Sequence, residues 1–259
     1  MNASGVPRIF DPHRRALRER RALARLRAAE RGAGERAGFL WQDIREDMID
    51  RLGFVRQSTR TALLVGDPAL EPDGFAQAPD DRVDHAATLD IERPFGDGLY
   101  EFIGIGGVLD AVNDLPGALI HVRNALVPGG LAIVSFVGGA SLPRLRAVML
   151  AADGERPAAR LHPMVDPRAA PQLLQRAGWK DPVVDTHRLN VRYGSLDRLV
   201  SDLRDHGLTN ALADRAPPLG KAAFVRARSA FLDQADADGR VTETFEIVTL
   251  TGRRSLGGT

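Results

Sequence analysis

The segment Leu63-Leu64-Val65-Gly66-Asp67-Pro68-Ala69-Leu70 is where this chain could hold a cofactor. An apolar strand ending in glycine lets a ligand come close to the backbone, because no Cβ stands in the way. Loops of that kind usually carry several closely spaced glycines, whereas here Gly66 is followed directly by Asp67 and Pro68. A second glycine group, Gly104, Gly106 and Gly107, closes the run Tyr100-Glu101-Phe102-Ile103-Gly104-Ile105. Residues this small at a strand end either admit a ligand or allow close backbone packing, and the sequence leaves both open. Other chemistries are thinly supported. Without cysteine there is no disulfide, thiol nucleophile or thiolate metal site. The six histidines are scattered without ligand spacing, so no zinc site is expected.

These residues need a scaffold, and the apolar patterning outlines one. With 259 residues, 44% of them hydrophobic, the chain can bury a substantial core. Short apolar runs at Thr61 to Gly66, Tyr100 to Ile105 and Leu131 to Val137 read as buried parallel strands, the first as the central one. Helices are expected at 115–126, 142–151, 167–177, 196–206 and 220–232, with further strands at 183–193 and 244–250. Alternating strands and helices predict an α/β sheet with crossover connections. Residues 1–57 read as an N-terminal helical arm, with Leu40, Ile44, Met48, Ile49 and Leu52 at helical spacing, and 58–259 as the α/β domain.

The net charge of +1 gives no global field that would draw nucleic acid. The arm opens with an arginine-dense helix, Arg14 to Arg27, read as a solvated face that docks through Ala16, Leu23 and Leu26, with an RNA or acidic-lipid patch as the alternative. Lys180 and Lys221 are the only lysines, so the arginine excess is a feature of the whole chain. No apolar run approaches the roughly 20 residues of a bilayer span, and the N-terminus lacks a secretory signal, so the expected compartment is the cytoplasm.

An ordered series of motifs resembles the second half of a class I S-adenosylmethionine (SAM) methyltransferase. It comprises Asn113-Asp114-Leu115-Pro116-Gly117, Arg123-Asn124-Ala125-Leu126-Val127-Pro128-Gly129-Gly130-Leu131, Gly138-Gly139 and Leu145-Arg146. Gln175 to Trp179, Val191-Arg192-Tyr193, Thr209 to Leu212, Asp238 to Val241 and Thr244 to Ile247 narrow the likeness. They resemble the group related to the malonyl-carrier-protein methyltransferase of biotin synthesis and to the methyltransferase-like assembly factor of respiratory complex I. The resemblance implies a Rossmann-like methyltransferase fold, a mostly parallel twisted sheet of about seven strands with the last strand antiparallel. A cofactor would lie across the carboxyl ends of the first and fourth strands.

The chain departs from that pattern between the first and fourth strands. One βαβ unit takes about 30 residues, so Gly66 to Asp90 cannot hold both crossovers. Pro68, Pro72 and Pro79 discourage helix there, and the first crossover helix is expected to be missing or reduced to a turn. The ribose-binding acid of the resembled group would fall on Asp84, with Asp80 and Asp81 as further candidates, although a solvated loop is the plainer role for all three. Asp90-Ile91-Glu92-Arg93-Pro94-Phe95 resembles the element flanking adenine, one residue short, and Asp110 replaces a histidine typical of the group. Pro128-Gly129-Gly130 is expected to act as a turn and Asn113-Asp114 as a helix cap.

Two functions follow from the resemblance. In the first, the cofactor site is degenerate, SAM is not held, and the chain is a non-catalytic binding or assembly module with a protein partner or a self-association surface. In the second it is an active SAM-dependent methyltransferase with a rebuilt pocket, and Gly66, Asp67, Asp90, Ile91 and Gly106 surround the cofactor. Methyl transfer asks mainly for positioning and exclusion of water, so the lack of an obvious acid or base does not decide between them.

Overall fold

The computed structural model describes residues 5, 7–30, 38–57, 59–66 and 74–257. Six strands form one sheet: β1 at Thr61–Gly66, β2 at Arg82–Ala86, β3 at Tyr100–Gly106, β4 at Leu126–Gly138, β5 at Lys180–Tyr193 and β6 at Val241–Arg253. Their order across the sheet is β2-β1-β3-β4-β6-β5. The first four pair in parallel, and β6 runs antiparallel to both β4 and β5. Ala62 and Leu64 face one layer while Leu63 and Val65 face the other, and all four are buried, which is why this strand reads as an unbroken apolar run.

Helices cover both faces. On one side lie α2 at Phe39–Val55, α4 at Pro143–Asp153, α6 at Leu196–Asp205 and α7 at Lys221–Leu232, whose Met48, Val148, Leu199 and Phe231 pack into one cluster with the sheet. On the other lie α3 at Leu115–Ala125 and α5 at Ala170–Arg176, where Leu119 and Leu174 meet Ile103, Val134 and Val248. A further helix, α1 at Pro12–Glu30, packs along α6. Leu40, Ile44, Met48 and Leu52 of α2 are buried as their spacing predicts, with Trp41 buried beside them. Among the described residues no helix is long and apolar enough to cross a membrane.

Several expectations are corrected. Among the described residues the sheet has six strands rather than about seven, and β1 is second from an edge instead of central, since only β2 lies beyond it there. The expected loss of the first crossover helix falls partly on residues 67–73, outside the described residues. Residues 74–81 make only turns, and so do the residues between Ala86 and Tyr100. Phe75 fills the space beneath this crossover, fully buried and stacked on Phe102 at 6.0 Å, with its carbonyl accepting from the Thr59 hydroxyl at 2.8 Å. Asp84 is not in a loop. It sits mid-strand opposite Leu63, paired with Arg82 at 2.6 Å and accepting from the Tyr100 hydroxyl at 3.2 Å. Asp81 closes a turn by accepting from the backbone N–H groups of Gln77 and Ala78, while Asp80 is exposed. Pro128-Gly129-Gly130 turns within β4 instead of before it: Tyr100 pairs with Leu126 but Phe102 with Leu131, and Gly129 takes a φ of 79°.

Candidate functional site

The crevice beyond the carboxyl ends of β1 and β3 is where an open α/β sheet presents a ligand site. Its floor is backbone. Gly66 pairs with Gly106, and Gly66 has a φ of 121°. A Cβ on Gly66 would run into the Gly106 carbonyl, so close strand pairing already requires this glycine. Gly107, with a φ of 74°, sits under the six-membered ring of Trp41. A Cβ on Gly104 would stand 3.0 Å from Leu64 and 3.2 Å from Phe102. Packing therefore accounts for Gly66, Gly104 and Gly107.

The roof of the crevice comes from α1 and α2. Arg18, Glu19, Ala22 and Leu23 of α1 close over it together with Trp41 and His206. The recess they enclose with Gly66, Gly106 and Gly107 has a volume of about 40 Å³. That is room for a few water molecules. Arg18 Nε and Trp41 Nε1 are buried donors without a hydrogen-bond partner among the described residues, and both residues border the recess.

The face of α1 that docks keeps Leu26 and part of Leu23 from the apolar set expected, but not Ala16, and adds two arginines. Arg15 and Arg18 are buried along with Ala22 and Leu26, while Ala16 is exposed. Arg18 Nη2 donates to both carboxylate oxygens of Asp110 at 2.9 Å, and its Nη1 donates to the Thr209 carbonyl at 3.3 Å. Arg15 reaches Asp90 at 3.2 Å and Glu92 at 2.5 Å. Glu92 in turn accepts from the backbone N–H groups of Asn113 and Asp114. Of the proposed cofactor residues, Gly66 and Gly106 meet at the recess floor, and Asp90 is half-exposed and engaged by Arg15. Ile91 is fully buried in the core between the sheet and α3, and Asp67 lies outside the described residues. Asp114 caps α3 by accepting from Gly117 N–H at 2.9 Å, as its type predicts. Asn113 does something the sequence did not indicate. Its side chain accepts from the N–H groups of Ile9 and Phe10 at 2.8 Å each and donates to the Phe10 carbonyl, pinning the Ile9–Phe10 segment that leads into α1.

Comparison with known proteins agrees with this architecture. Malonyl-[acyl-carrier protein] O-methyltransferase 1 of Coxiella burnetii is 31% identical over 156 residues, covering 60% of this chain and 54% of that protein. The mitochondrial arginine-hydroxylase NDUFAF5 of Homo sapiens is 30% identical over 164 residues, covering 61% of this chain and 47% of its own. The chain is similar to these proteins and has the Rossmann-like fold of class I methyltransferases. It spans about half the length of these curated relatives. No family model matches it. Among solved structures, the [4+2]-cyclase SpnF superposes over 98% of this chain and all of its own with a TM-score of 0.50 at 17% identity, a likeness of fold alone.

In this methyltransferase-like chain the ionisable groups near the crevice are shaped by burial. Burial pushes the Asp110 carboxyl up, against the pull of Arg18, and pushes Glu19 up as well. His162 is driven down to about 3, first by burial and then by Arg18. Its Nε2 accepts from Ala211 N–H at 2.7 Å and its Nδ1 lies 3.9 Å from Asp110, an arrangement suited to the neutral ring. His206 is also lowered by burial; its Nδ1 donates to the Asp202 carbonyl at 2.7 Å and its Nε2 accepts from Leu40 N–H at 3.3 Å. His162, through Ala211 N–H, and Arg18, through the Thr209 carbonyl, tie the Arg18–Asp110 pair to the Thr209 to Leu212 segment, whose Leu212 forms a β-bridge with Phe10. Among the described residues no group of three or more His, Asp or Glu could hold a metal ion.

Proposed function

We propose that this chain is a methyltransferase-fold binding module that does not hold SAM in the arrangement described, and that it acts through a protein partner. The observation that carries this reading is the 40 Å³ recess at the carboxyl ends of β1 and β3. A nucleoside-sized ligand needs a pocket of roughly 300 Å³ or more. The residues around the recess do not fit the cofactor as they stand: Arg18 and Trp41 fill its place, Asp90 is engaged by Arg15, and Ile91 belongs to the core. The relatives' names, which cover methyl transfer to a carrier-protein substrate and arginine hydroxylation, agree with a scaffold not tied to one reaction.

A second reading has its own support. The recess floor is glycine backbone at Gly66, Gly106 and Gly107, so moving α1 aside would uncover a surface without side chains. On that reading the chain is a SAM-dependent methyltransferase whose pocket opens when α1 is displaced. Calorimetric titration with SAM and with S-adenosylhomocysteine, paired with thermal shift, separates the two. The module reading expects no saturable heat and no rise in Tm at millimolar ligand. Micromolar binding would overturn it in favour of the enzyme.

A further inference from the structure

Four arginines of α1, Arg14, Arg18, Arg21 and Arg25, follow one another at spacings of four, three and four, which places them on one face of the helix. That face looks across a groove at α6 and the segment after it. Arg25 pairs with Asp205, Arg18 donates to the Thr209 carbonyl, and Arg14 donates to the Leu212 carbonyl at 2.9 Å. The opposite wall brings two more arginines, Arg204 and Arg215, and the groove has a volume of about 820 Å³. No carboxylate lines it among the described residues.

Charge matching singles this groove out. Arg18 is neutralised by Asp110 and Arg25 by Asp205, but Arg14, Arg21, Arg204 and Arg215 have no carboxylate partner among the described residues. Arg21, Arg204 and Arg215 are exposed and make no side-chain hydrogen bond there. Elsewhere the arginines of this chain commonly sit beside acids, as Arg51 does with Asp47, Arg160 with Asp153 and Arg192 with Asp236 and Asp238. A general excess of arginine would not select against acids in one concave place. Like charges facing one another across a groove repel, and a bound anion removes that cost. Guanidinium groups match phosphate oxygens through paired N–H donors. The volume lies within the roughly 300–1,000 Å³ of small-molecule sites, and a concave groove encloses a compact ligand better than it meets a membrane or a duplex.

We propose that the groove between α1 and the α6–Arg215 wall binds a small soluble polyanion carrying at least two phosphate groups, of the pyrophosphate or nucleoside diphosphate class. The groove shares Arg18 with the glycine-floored recess but otherwise has its own lining, and the assignment rests on α1 staying docked, as in the module reading.

Calorimetric titration of the full chain with pyrophosphate and with ADP, at low and moderate salt, tests the assignment. Saturable one-site binding is expected, roughly tenfold or more weaker in Arg21→Ala and in Arg215→Ala, and weaker in Arg21→Lys, which keeps the charge but loses the planar fork. Circular dichroism and Tm should match wild type in these variants, because the substituted side chains are exposed. Absence of saturable binding at 10 mM pyrophosphate on the order of 50 mM salt would overturn the proposal, as would equal affinity in the variants. Tighter binding of a short single-stranded RNA, lost in the same variants, would overturn the small-ligand assignment. S-adenosylhomocysteine titration should be the same in wild type and variants, so failure here is distinguishable from failure of the module reading.

Discussion

Gly107 shows how a residue that could serve a ligand is held by its neighbour. At a φ of 74° with the Trp41 ring against it, the position has neither the backbone freedom nor the space for a methyl group. Gly107→Ala is expected to destabilise the fold by about 2–4 kcal/mol in urea denaturation, combining overpacking with left-handed strain. Trp41→Leu should relieve the overpacking part, so the double variant should be less destabilised than the two singles together. His162 offers a second test. Its folded pKa is lowered to about 3 while the unfolded chain titrates near 6.5, so between those values the unfolded state binds the extra proton. Stability therefore falls as pH drops through that window, with a limiting slope of about 1.4 kcal/mol per pH unit from this group. Asp110 and Glu19, both raised, act in the opposite sense and gain stability on acidification. The contribution of His162 is isolated by comparison with His162→Gln, which keeps an acceptor for Ala211 N–H. That variant should show a shallower loss of Tm between pH 6.5 and 5.

Among the elements, α1 is attached to the body by ion pairs as well as by the buried Ala22 and Leu26. Its anchors are Arg15 on Asp90 and Glu92, Arg18 on Asp110 and Arg25 on Asp205. The Arg18–Asp110 pair is the deepest of these, with both side chains about 95% buried. Removing one partner of a buried pair strands the other, so Arg18→Met is expected to cost about 3–5 kcal/mol. Arg18→Met with Asp110→Leu should recover most of that loss, because a buried pair contributes little beyond an apolar replacement. Chemical denaturation of both variants, together with amide exchange along α1, checks the pair and its role in holding the helix down.

At the scale of the whole molecule, the N-terminal helix α2 and the sheet share a core. Trp41 of α2 sits in the layer with Phe102, Ile133 and Phe245, whereas Trp179 sits in the opposite layer and donates to the Leu119 carbonyl at 2.9 Å. These are the two tryptophans of the chain, and each reports on one layer. We propose that residues 1–57 do not unfold as a separate arm. Trp41→Phe and Trp179→Phe variants, each leaving one fluorescent reporter, should give coincident urea transitions that also match far-UV circular dichroism. A separate early transition seen only by Trp41 would make the helical arm an independent unit.

The sequence by itself determined the layered α/β scaffold, because buried parallel strands and amphipathic helices carry periodic apolar patterns that depend only on local neighbours. The apolar stripe of α2 was legible for that reason and the cap at Asp114 from its short polar side chain, whereas the antiparallel direction of the last strand came only with the resemblance that the ordered tail motifs carry. Asp84 shows the boundary of this kind of reading. Short, charged and weakly patterned, β2 looks like loop until β1 supplies its hydrogen bonds. Only tertiary structure decided what fills the crevice. Arg15 and Arg18 read as solvent-facing charges in the sequence, yet Asp90, Glu92 and Asp110, some 75 to 92 positions away, draw them inward. The glycines at the strand ends likewise leave two meanings open in sequence. Trp41 and the opposing Gly106 carbonyl give Gly107 and Gly66 their packing roles, because contact between distant segments follows from how the layers stack and leaves no local signature.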